Sequence, residues 1–159
     1  MNRFLKLIMA CWFSVVIAPS AFAERSFKVV QDLPSITHVD VGVEGGSHGD
    51  VMAFEAPFIT EDNLSGVLSG IVTTVAITDT EGEPFTDRIG TLVFEFGETG
   101  TLIVTGGSRY ALGQAEMQTD TPQVRAITGG TGRFMGARGQ VTTMRKDAGH
   151  YQHYFELID

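Results

Sequence analysis

From Phe27 onward, short β-branched and aromatic runs alternate with clusters of Gly, Asp, Asn and Pro. The runs are "FKVVQDL", "ITHVDVGVE", "DVMAFEAPF", "SGIVTTVAIT", "RIGTLVFEFG", "TLIVTGG", "QVRAITGG", "GQVTTMRK" and "HYQHYFELI". They predict eight or nine strands, because β-branched and aromatic side chains suit a pleated surface and the flanking residues suit turns. "TEDNLSG", "TDTEGEP", "GETG" and "GTGRFMG" are the expected turns. After residue 23 no window carries the 3.6-residue apolar stripe of a surface helix. Strands at this spacing without helices predict an all-β antiparallel sandwich or closed barrel, and closure into a barrel removes exposed edges. No linker, repeat or low-complexity tract divides residues 24–159, which read as one domain.

Several runs are apolar on both faces. In "GIVTTVAI", Val72 and Ala76 fall on one side and Ile71, Val75 and Ile77 on the other. A barrel strand between lumen and water would alternate more cleanly. With no helix to cover the outer face, a homo-oligomer is expected.

Residues 1–23 read differently. Arg3 and Lys6 precede an apolar run from Leu7 to Ala18, then Pro19 and Ala21-Phe22-Ala23. That is the pattern of a secretory signal peptide cleaved after Ala23. The run is shorter than the roughly 20 residues of a spanning helix. A periplasmic or secreted location is therefore expected, with no membrane span after cleavage. Cleavage would remove the single Cys, the single Trp and two of eleven cations. The remaining 136 residues would hold nine basic and nineteen acidic side chains, a formal charge of −10. A disulfide framework and a thiol nucleophile are excluded on that reading. Nucleic acid and anionic lipid are disfavoured as partners, because so acidic a chain repels them.

"AITGGTGRFMGARGQV", residues 126–141, is the densest glycine tract. It lacks the Lys-Ser/Thr of a Walker loop. The spacing Gly130, Gly132, Gly136 is one residue too long for a dinucleotide loop, and strand-like sequence follows where a helix should begin. The tract reads as a strand-to-strand connection with positive-φ glycines around a buried Phe134, and no cofactor is expected.

The same tract resembles the corresponding loop of the allene oxide cyclase and dirigent superfamily. The resemblance extends through "GSHGDVMAFEAPF", "GVLSG", "FEFGETGTLIVTGG" and the terminal "YQHYFEL", from about Ser47 to Leu157. It implies an eight-stranded antiparallel barrel, typically trimeric, with an apolar lumen. The plant cyclase folds an epoxy fatty acid in that lumen, helped by a carboxylate, an asparagine-held water and aromatic side chains. Met52 and Phe54 match inward positions of the family. Ala56 stands where the asparagine is expected, Val72 where the cysteine is, and Arg88 where an aromatic is. The first-strand carboxylate has no clear match: Lys28 or Val29 falls near it, with Asp32, Asp40 and Glu44 in the same region. Arg138 in "GARG" matches the arginine that the dirigent branch carries near its pocket. The container is matched and the plant cyclase's polar machinery is not, which argues against allene oxide cyclisation itself.

Two classes of function stay open. In one, a lumen lined by Met52, Phe54, Leu68, Val72, Leu92, Phe94 and Leu102 folds a small apolar substrate, lipid-like or aromatic, for cyclisation or isomerisation. Thr74, Arg88 and Arg138 would orient its head group, with Arg88 and Arg138 the catalytic candidates. In the other, the barrel only binds a ligand or a partner, or is packed solid. No metal is expected: His150 and His153 point to opposite faces of one strand, and His48 lies far off in sequence. Asp50 reads as a turn cap.

Overall fold

The computed structural model describes residues 24–78 and 84–158. The signal peptide expected at residues 1–23 lies outside the described residues, as does most of the expected "TDTEGEP" turn. Nine strands follow one another: β1 (Glu24–Gln31), β2 (Ser35–Val39), β3 (Val51–Thr60), β4 (Ser65–Thr78), β5 (Phe85–Glu95), β6 (Thr101–Ala111), β7 (Gln123–Gly130), β8 (Arg138–Arg145) and β9 (Tyr151–Ile158). From β3 to β9 each strand pairs antiparallel with the next, and β1 pairs with both β9 and β3. This closes an eight-stranded barrel, the closed form of the two architectures that the strand pattern left open and the one that the family resemblance implied.

β2 is the additional strand. β3 shares one edge between two partners: β1 pairs with its last residues, from Val29↔Thr60 to Gln31↔Phe58, and β2 with its first, from Ser35↔Glu55 to Val39↔Val51. Asp32, Leu33 and Pro34 turn the corner between them. Only β1 reaches β9, so the wall parts beyond Gln31. That gap makes one end of the barrel its mouth.

β4 starts at Ser65, inside residues that read as a turn. Its Gly66 and Gly70 look like breakers, yet they lie opposite Phe58 and Phe54 of β3. A Cβ at Gly70 would sit 2.3 Å from the Phe54 ring, and one at Gly66 would sit 2.2 Å from the Phe58 ring. Each ring lies over a bare backbone, so glycine here makes room for an aromatic on the neighbouring strand.

The half of the lumen away from the mouth is packed solid. Phe155 stacks on Phe27 at 4.8 Å and meets Phe94 edge-on at 5.0 Å. Phe58, Phe96, Leu102 and Val104 complete this core, and Phe134 closes its end, 5.0 Å from Phe96 between ring centres. Phe134 comes from the glycine tract, which is a strand-to-strand connection with one short 3-10 turn, Gly132–Phe134. Gly139, at φ +140°, runs so close to β9 that a Cβ would fall 1.9 Å from the Glu156 carbonyl oxygen. The glycines serve close backbone approach, and no helix opens here to cradle a phosphate.

Outside, Ile71 and Val75 are exposed as expected, while Ile77 is half-buried. A register shift between Thr74 and Ala76 makes a bulge at Val75. Ile89 and Val124, on other strands, add to the apolar outer surface.

Candidate functional site

The mouth half of the lumen is a chamber with two unlike walls. Strands β3, β4 and β5 supply Met52, Phe54, Leu68, Val72 and Leu92, an apolar wall. Facing them are Gln31 of β1, Tyr110 of β6, Arg125 of β7, Thr143 of β8, and Tyr151 and His153 of β9. Pro34 and Ile36 at the β1–β2 corner line the rim, and Ala115 and Met117 reach in from the segment between β6 and β7. None of these lining residues is acidic. The chamber is a small cavity of about 40 Å³.

The segment from Leu112 to Pro122 lies across the mouth as a cover. Arg88 holds it from below: its Nη1 donates to the Gln114 carbonyl oxygen at 3.1 Å. Arg145 holds it from the side, donating to Glu116 at 2.9 Å and to Thr119 Oγ1 at 3.1 Å. Tyr151 Oη donates to the other Glu116 oxygen at 3.4 Å. Met117 is thereby buried against Tyr110 and Tyr151.

His153 is buried at the floor of the chamber with both ring nitrogens engaged. Nε2 lies 2.9 Å from Gln31 Oε1 and Nδ1 lies 3.0 Å from Thr143 Oγ1. The Gln31 amide nitrogen donates to the Asp32 carbonyl, which leaves Oε1 to accept from His153. Nε2 therefore carries the proton, and Thr143 donates to Nδ1. Burial, with a smaller contribution from the Arg125 charge, pushes the imidazole down to a pKa of about 3, so it is neutral near pH 7. Burial likewise pushes the Tyr151 phenol well above its ordinary value. Neither group is a ready base.

Arg125 is the unusual member. Only 4% of its surface is exposed, and its Nε and Nη1 have no hydrogen-bond partner. Burial lowers its pKa, opposed chiefly by interaction with the Tyr110 phenol. An arginine nevertheless stays charged at neutral pH. Arg88 is buried against the same residue, its guanidinium 4.2 Å from the Tyr110 ring centre. Two cations thus flank one tyrosine inside a barrel whose sequence is strongly acidic overall. The chamber offers donors and positive charge to a bound molecule, together with an apolar wall that shapes it.

Among the residues singled out from sequence, Met52, Phe54, Leu68, Val72 and Leu92 line the chamber. Phe94 and Leu102 are buried in the solid half instead. Thr74 is buried beside the Asp50 strand entry, its amide donating to the Asp50 carbonyl. Arg88 braces the cover without lining the chamber. Arg138 is exposed at the opposite end of the barrel, pairing with Ile158, and does not reach the chamber. Asp50 orders the loop before β3, accepting from the amides of Val41 at 3.0 Å and Ser47 at 2.8 Å, which hold its carboxyl below the ordinary value. The sequence reading grouped Arg125 with Arg133 and Arg138 as cations around one loop and gave a pocket role to Arg138 alone. The parity of Arg125 in "QVRAITGG" puts it on the same face as Ile127, but Val124 and Ala126 make the other face equally apolar. Alternation alone left the inward face of β7 undecided.

Solved structures with this fold include a pyocyanin demethylase, 20% identical, with a TM-score of 0.59 over 85% of this chain and 99% of that one. A heme-binding cyclase that catalyses a [4 + 2] cycloaddition in neoabyssomicin biosynthesis is 14% identical, with a TM-score of 0.61 over 88% of this chain and 66% of the cyclase. A pterocarpan synthase dirigent protein is 23% identical, with a TM-score of 0.51 over 89% of this chain and 96% of that one. No protein-family model matches the chain, and no curated relative does. At these identities the likeness is one of fold. It is the fold of dirigent and cyclase barrels, consistent with the allene oxide cyclase and dirigent-like superfamily that the sequence motifs resemble.

Proposed function

We propose that the protein is an exported barrel that takes one small apolar molecule, aromatic or lipid-like, into the mouth half of its lumen and steers its cyclisation or isomerisation. The observation that carries the reading is the divided lumen. One half is filled by phenylalanines, whereas the other keeps a covered space between an apolar wall and a polar wall that carries Arg125. A fixed shape can hold a flexible substrate in a near-attack conformation, and buried donors can stabilise negative charge as it develops on an oxygen. Neither role needs a free base, and His153 and Tyr151 supply none. The activities for which the neighbours are named, a demethylation, a cycloaddition and a pterocarpan synthesis, support a small-molecule reading. The alternative, binding without turnover, is favoured by the absence of any acid among the lining residues.

A trimer is part of the proposal, supported by the exposed Ile71, Val75, Ile89 and Val124. Native mass spectrometry of protein purified from its own host tests these points together. Subunits beginning at Glu24, a trimeric mass, and a bound organic molecule are the expected results. A bare monomer would count against both the lumen reading and the assembly. Turnover of the recovered molecule separates enzyme from binder.

Filling the chamber should act on the ligand before it acts on the fold. Met52→Trp places a larger ring on the apolar wall, where overpacking costs about 1–3 kcal/mol. Affinity for the recovered molecule is expected to fall tenfold or more, with a cooperative melt retained. Unchanged affinity would move the binding site elsewhere.

A further inference from the structure

The chamber carries a sharper statement about its ligand, one that rests on the proposed binding role. We propose that the natural ligand is an apolar acid whose carboxylate or phenolate enters first and pairs with Arg125, leaving its apolar body against the β3–β5 wall.

A guanidinium has five N–H donors, and a buried one needs them satisfied or its charge matched. Arg125 has two nitrogens without a partner, is almost wholly buried, and lines the chamber. No residue lining the chamber is acidic, and among the described residues no ion pair reaches Arg125. Glu116, in the cover above, is already engaged by Arg145 and Tyr151. Asp50 is taken up by the loop before β3. Among the described residues, then, a cation is buried and no anion is provided for it. Left so, the charge destabilises the empty barrel; an incoming carboxylate could accept a charge-assisted hydrogen bond from Nε or from Nη1.

The rest of the chamber fits the same ligand. Tyr110 stands beside the arginine as a phenolic donor, and Arg88 adds a second positive charge over the Tyr110 ring. His153 is neutral with both nitrogens occupied, so it does not compete for the anion. The free space is small, so a body larger than a few atoms must displace the cover segment. Met117 and Met52, unbranched and adaptable, are suited to yielding. The orientation follows from position: Arg125 is on the inner wall beneath the cover, so the polar end goes in ahead of the apolar end.

Benzoate and benzamide test this, being near-isosteres that differ in charge. Calorimetric titration of the intact protein is expected to show benzoate binding at least tenfold more tightly than benzamide, and more tightly than acetate. Arg125→Met should abolish the preference for benzoate while retaining benzamide. It should also raise the melting temperature of the empty protein, because an unpaired buried cation has been removed. Arg125→Lys, which keeps the charge, should retain part of the preference. Equal binding of benzoate and benzamide overturns the inference and leaves the apolar chamber intact. Acetate binding as tightly as benzoate overturns it in favour of a simple anion site. Failure of all three probes removes the lumen reading itself. A lower melting temperature in Arg125→Met, with the benzoate preference unchanged, would show that Arg125 is a structural residue.

Discussion

Between pH 6.5 and pH 3 the barrel is expected to lose on the order of 4 kcal/mol of folding free energy through His153 alone. In the folded protein the imidazole is neutral down to a pKa of about 3. In the unfolded chain it takes a proton below its ordinary value of 6.5. Across that window the unfolded chain binds one proton more than the folded one, so stability rises with pH and is complete above the upper limit. The cause is local. His153 is walled in by Phe94, at 4.9 Å between ring centres, and its nitrogens are committed to Gln31 and Thr143. A second proton on the ring would break the Thr143 bond and set a charge beside Arg125. Urea unfolding at half-unit steps of pH should show this slope, and His153→Gln, which keeps a donor and an acceptor without a titrating group, should flatten it. Identical slopes in the two proteins would assign the acid sensitivity to the carboxylates.

Phe155→Ala is expected to cost about 3–5 kcal/mol, the range for emptying a fully buried aromatic site. The side chain is wholly buried between Phe27 and Phe94, at 4.8 and 5.0 Å. Both rings are held by other strands, so the space cannot readily collapse. For a domain of this size the loss is a third or more of a typical folding free energy, and the melting temperature should drop by roughly 10 °C or more. Met117→Ala in the cover should cost distinctly less, since the methionine closes a chamber that already holds free space. The order of the two matters more than either value. If Met117→Ala proved as damaging as Phe155→Ala, the cover would be part of the folding core and could not open for a ligand.

Much of this architecture is written in local pattern. In β9, Tyr151, His153, Phe155 and Leu157 alternate with Gln152, Tyr154, Glu156 and Ile158, and the first set faces the lumen. The alternation could place that strand because the two faces differ in polarity. The glycine tract could be recognised as a connection because a phosphate loop needs a helix after it and this tract is followed by strand sequence. The outward Ile71 and Val75 followed from parity in the same way.

Where the two faces of a strand are alike, or where a residue's meaning depends on another strand, the chain's own order is silent. Gly66 and Gly70 read as breakers because the rings that cover them belong to β3, and only pairing brings Phe58 and Phe54 over them. Arg138 looked like a pocket residue from its motif, but the direction of β8 puts it at the end of the barrel away from the mouth. Arg125 was not singled out as a site residue, because Val124 and Ala126 hid which face of β7 turns inward. The sequence by itself determined the all-β strand order, since period-2 alternation and turn chemistry act between near neighbours. Tertiary structure alone decided which half of the lumen is solid and which is open, because that depends on where side chains from distant strands meet. It also decided that the charge in the open half is a buried arginine with two nitrogens left unbonded.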